Sequence, residues 1–183
     1  MIHLYADQIL EEQFARSLGL DKYEMIMRLA SSTDVCHDPE FQKSFNAFYR
    51  IRRNAEWRKC YYDLFEQAKA KHYGFADVIR ILFEKTGNVE SSFSSKMIAT
   101  IDPDKPIWDQ YIIRNLGLEL KGKAPQERVE NAIGVYAAVE QWFVVYLKTE
   151  EARENIAVFD RLLPSYTWLS DVKKIDFLLW SKR

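Results

Sequence analysis

The sequence predicts an all-α protein, a compact multi-helix domain, and three observations carry that expectation. Apolar residues recur at spacings of three and four along most of the chain, the period of an amphipathic helix. Alternating apolar and polar runs, the mark of a half-buried strand, never extend beyond a few residues. Gly, Pro and capping residues fall between the periodic segments, where helices stop and start.

Asp7 to Leu18 carries Ile9, Leu10, Phe14 and Leu18 at helical spacing and is closed by Gly19. Asp21 caps a second helix through about Ser31, with Met25, Ile26 and Leu29 inward. The polar loop from Ser31 to Pro39 holds Cys36 and His37, too few ligands for a metal site. Two helices then cover residues 41–53 and 55–71. Phe41, Phe45 and Phe48 form the stripe of the first, and Trp57, Cys60, Tyr61, Leu64, Phe65 and Ala68 that of the second. Gly74 breaks the pattern, which resumes over Phe75 to Thr86 with Phe75, Val78, Ile79, Leu82 and Phe83 facing one way. His72, beside the break, reads as a surface or structural residue.

Ser91, Ser92, Ser94 and Ser95 are capping types for a helix carrying Met97, Ile98 and Ile101. Asp102-Pro103-Asp104-Lys105-Pro106 cannot continue it, because proline lacks an amide hydrogen and turns the preceding residue away from the helical region. A new helix restarts at Ile107 with Asp109 in its first turn. After the loop LELKGKAP, Pro125 suits the first turn of a long helix. From Gln126 to Lys148 two apolar stripes adjoin: Val129, Ile133, Tyr136, Val139, Phe143 and Leu147 on one, Val135, Ala138, Trp142 and Val145 on the other. So broad a face marks the central helix of the fold. Thr149 to Leu163 begins with acids and ends at Pro164. A final run, Thr167 to Trp180, places Trp168, Leu169, Val172, Ile175 and Leu179 on one side.

At 183 residues the chain is most simply one domain over 1–183, long enough for a sizeable core. Two lobes flanking a cleft near residues 90–117 fit that length. The 48% apolar content and the 11 Phe, 10 Tyr and 5 Trp exclude a disordered chain and imply a bulky core. A net charge of −1 excludes a uniformly basic nucleic-acid binder and leaves room only for a local basic face. Arg50, Arg52, Arg53, Arg58 and Lys59, against Glu56, make the one concentrated cluster. It either grips a phosphate backbone or is a solvated, acid-paired face. Lys121 and Lys123 are further phosphate-contact residues. Cys36 and Cys60, with no secretory signal, read as reduced thiols of a cytoplasmic protein. No apolar run approaches the roughly 20 residues needed to span a bilayer, so no membrane partner is expected. No cofactor or metal is implied.

Chemistry concentrates in ESSFSSKMIATIDPDKPIWDQYIIRNLG, residues 90–117. A lysine near a helix N-terminus is disfavoured by the helix dipole, and burial lowers its proton affinity further, the direction a nucleophilic amine needs. The order of residues resembles the helix-hairpin-helix DNA glycosylase superfamily, including compact bacterial relatives similar to 8-oxoguanine glycosylase. There, Gly-hydrophobic-Gly-x-Lys is followed by hydrophobic-Asp-x-x-hydrophobic-x-Arg. Ser92-Phe93-Ser94-Ser95-Lys96 takes the first pattern, with serine at both glycine positions. Trp108-Asp109-Gln110-Tyr111-Ile112-Ile113-Arg114 takes the second, 13 residues on from lysine to aspartate.

The resemblance implies Lys96 as the amine nucleophile and Asp109 as the essential carboxylate of a glycosylase, with lyase activity, acting on a damaged or modified base in DNA. Ser92, Ser94 and Ser95 would present hydroxyls and helix-start amides to a phosphate, with Arg114, Arg52 and Arg53 as further DNA contacts. The alternatives are a non-catalytic descendant of that fold binding nucleic acid or protein, and an unrelated helical interaction module.

Overall fold

The computed structural model describes residues 3–14 and 19–182. Among these residues the protein is all-α: α1 (Ala6–Phe14), α2 (Leu20–Ser32), α3 (Pro39–Phe48), α4 (Ala55–Lys71), α5 (Phe75–Thr86), α6 (Ser91–Ile101), α7 (Gln110–Asn115), α8 (Pro125–Tyr146), α9 (Glu150–Leu162) and α10 (Asp171–Ser181). A single 3-10 turn, Pro164–Tyr166, joins the last two. Leu18 of the first expected stripe, and the side chain of Phe14, lie outside the described residues.

Local capping explains most boundaries. Asp38 accepts from the Glu40 and Phe41 amides, both at 2.9 Å, and starts α3. Asn54, Thr149 and Ser170 do the same for α4, α9 and α10, since a side-chain oxygen satisfies amides that have no intrahelical partner. Three expectations are corrected. Asp21 lies in the first turn of α2, whose cap is Gly19. The cap of α6 is Glu90 and no serine caps it; the serines lie inside the helix. The last helix begins at Asp171, so Trp168 precedes it and is 48% exposed.

Helix α3 also stops five residues early. The Tyr49 amide returns to the Phe45 carbonyl at 3.0 Å and the Ile51 amide to Asn46 at 2.9 Å, which closes the helix end and sends Ile51 into the core. That closure holds Arg50 at φ 54°. Such a position normally belongs to glycine, and an L-residue there costs about 1–2 kcal/mol. His72, after α4, adopts the same φ.

Two apolar clusters form the interior. One gathers Phe41, Phe45, Tyr61, Phe65 and Met97 from α3, α4 and α6; the other gathers Ile112, Tyr136, Phe143, Phe159 and Ile175 from α7 to α10. Helices α2 and α5 contribute to both. Helix α8 is not the centre: its second stripe is only partly buried, with Val135 and Trp142 against the core edge but Ala138 exposed and Val145 56% exposed. The deeply buried helices are α6 and α10, with eight and nine of their 11 residues buried.

Candidate functional site

The loop from Asp102 to Asp109 connects α6 to α7 and is held by side chains from α6, from α8, and from α10 and its cap. Ser170 donates to the Pro103 carbonyl at 2.7 Å and Tyr136 to the Pro106 carbonyl at 2.8 Å. Asp176 accepts from the Ile107 amide at 3.4 Å. The buried Ser95 hydroxyl accepts from the Trp108 amide at 2.7 Å. Ser95 precedes Lys96 and Trp108 precedes Asp109, so this one bond returns the carboxylate to the lysine's side of α6.

Both residues line a cavity of about 690 Å³, within the roughly 300–1,000 Å³ typical of small-molecule sites. Its wall takes residues from both apolar clusters, including the rings of Tyr23, Phe48, Tyr49, Phe93, Tyr111, Phe177 and Trp180. Four basic side chains, Lys22, Arg50, Lys96 and Lys173, face two acidic ones, Asp109 and Asp176.

Lys96 is only 9% exposed. Its ammonium lies over the rings of Phe93 and Tyr49, 5.3 and 5.5 Å from their centroids. Burial lowers its pKa from the ordinary lysine value, and the Asp109 charge opposes that without reversing it. Asp109 is half-buried, and its Oδ1 accepts from the Tyr111 amide at 2.9 Å as the cap of α7. Deeper in the wall, Lys173 and Asp176 form an ion pair at 2.8 Å, 3% and 2% exposed. Burial opposes the Lys173 charge, but the adjacent carboxylate outweighs it and holds the ammonium above the ordinary lysine range.

The remaining predicted site residues are placed as follows. Positions 92–95 are helical, so no hairpin turn forms there. Ser94 and Ser95 are fully buried, the first with its hydroxyl unpartnered and the second bonded to Trp108 and to the Ser92 carbonyl. Neither reaches a phosphate outside, which corrects that expectation; Ser92 is half-buried. Arg53 binds the buried Glu90 carboxylate at 2.7 Å and stacks over Trp57 and Phe93, so it is a structural cation. Lys59 is likewise paired, with Asp63 at 2.7 Å. Arg52 is exposed. Arg114 is exposed and lies over the ring of Tyr111. Trp108 belongs to the core, stacked on Phe75.

Cys36 donates to the Tyr62 carbonyl, and burial pushes its thiol up to about 11, leaving it protonated. No group of His, Cys, Asp and Glu among the described residues is arranged to hold a metal. No helix among them is long and apolar enough to cross a membrane.

Sequence reading missed the Lys173–Asp176 pair and Tyr23 as parts of the site, and placed Arg50 only in the basic cluster. The signal available for the pair was VKKIDFLLW, where apolar residues flank the charges on every side. No family model, curated protein or solved structure matches the chain.

Proposed function

We propose that the protein is a DNA glycosylase with lyase activity acting on a damaged or modified base. The observation that carries this reading is the shared cavity: a buried amine of lowered proton affinity and a carboxylate, among aromatic rings and an excess of positive charge. An extruded nucleotide needs aromatic or apolar walls to replace its lost stacking. After giving up its proton, the Lys96 amine attacks the anomeric carbon as the N-glycosidic bond breaks with its electron pair leaving on the base, which takes up a proton; the nitrogen then loses its remaining proton as the sugar-ring C1′–O4′ bond opens to a protonated O4′, leaving a Schiff base. Asp109 stabilises the positive charge that develops on the sugar.

The test is borohydride trapping on DNA carrying an abasic site. A covalent complex is expected with the native protein and none with Lys96→Gln. A second reading, a nucleic-acid-binding descendant without catalysis, is favoured by the helical, buried serines where a phosphate-binding hairpin would lie. Salt-dependent binding without trapping selects it. Absence of both points to a protein-interaction module.

A further inference from the structure

We propose that Arg50 is a phosphate-binding residue at the mouth of the Lys96–Asp109 cavity; this rests on reading that cavity as a nucleotide site. Arg50 is exposed, lines the cavity, and makes no ion pair with any described residue. Its neighbour in the basic cluster, Arg53, is consumed by Glu90. The backbone supplies a second, independent indication. Arg50 occupies the left-handed position that closes α3, at φ 54°, where glycine carries no steric penalty. The chain uses glycine for this purpose after α5, at Gly87 with φ 70°, and His72 after α4. At residue 50 it carries a long cation instead, and that cation lines the cavity. Strain of this kind concentrates where a side chain has a ligand to meet. A guanidinium suits a phosphate, because its fork matches two oxygens at once.

The experiment compares the native protein with Arg50→Gly, which suits the observed backbone. Binding of a fluorescent oligonucleotide containing a tetrahydrofuran abasic analogue is followed across a salt series, with a deoxynucleoside 5′-monophosphate as competitor. The variant is expected to bind about tenfold more weakly and to lose about one from the slope of log K against log salt, while melting at the same temperature or higher. Arg50-dependent binding mainly to the oligonucleotide assigns a phosphodiester as the source; equal competition by the monophosphate assigns a free nucleotide. Unchanged affinity and slope in both arms overturns the proposal, and so does a melting temperature lowered by several degrees. Trapping by the native protein reads Lys96 rather than Arg50, so the two ideas fail separately: a trap-negative protein with Arg50-dependent binding loses only the lyase reading, and a trap-positive protein with Arg50-independent binding loses only this inference.

Discussion

Lys96 is held as a cation by two aromatic faces and no acceptor, inside a helix buried along most of its length. Its proton affinity is lowered chiefly by desolvation, so the folded state binds that proton less tightly than the unfolded chain does. Stability therefore rises with pH between the lowered folded-state pKa and the ordinary value of 10.5. Lys96→Met removes the buried charge and is expected to melt higher than the native protein at pH 7, with the gap narrowing as pH approaches 10.5. Thermal melts at a series of pH values check this; a gap independent of pH sinks the desolvation argument. Lys96 stands out in the sequence between a run of serines and an Asp-Pro turn. Its aromatic cradle was not legible there, because Tyr49 and Phe93 meet it from 47 residues before and three residues before in the chain.

Among the elements, helix α6 acts through Ser95 as the template for the start of α7. Ser95→Ala would leave the Trp108 amide buried without an acceptor, at a cost of about 1–3 kcal/mol. Chemical denaturation is expected to show that loss, and the variant should trap abasic DNA less efficiently, because the carboxylate at 109 loses its tether. Undiminished stability would mean that the contact is dispensable. Element starts were readable at Asn54 and Thr149, where the expected and observed helices begin together. Boundaries were misread where long-range burial decides: Ile51 is drawn inward and ends α3 early, and Trp168 lies before the first turn of α10. Periodicity also could not rank the two stripes of α8, since both are apolar and only packing against α5 distinguishes them.

At the scale of the molecule, the cavity lies where two apolar clusters meet, and Lys96 and Asp109 are brought to it from α6 on one side and the α6–α7 connection on the other. The all-α class was legible because amphipathic spacing is a local property. A cleft near residues 90–117 was expected; the part α10 plays in it was not, because that helix buries charges that a two-sided helix would display: Lys173 and Asp176 look solvated in the sequence and are 3% and 2% exposed. In a single cooperative transition every probe reports the same midpoint. Far-ultraviolet dichroism and trapping yield are thus expected to fall together along a urea titration; trapping lost well before the helical signal would show the two clusters separating first.

The tethers on the 102–109 connection come from Ser95, Tyr136, Ser170 and Asp176, residues as far as 81 positions apart. A nascent chain that has not yet reached residue 170 would miss two of these four fasteners. Any reactivity of the amine with aldehydic sugars should then emerge only once synthesis has passed α10, keeping incomplete chains from forming adducts they could not resolve.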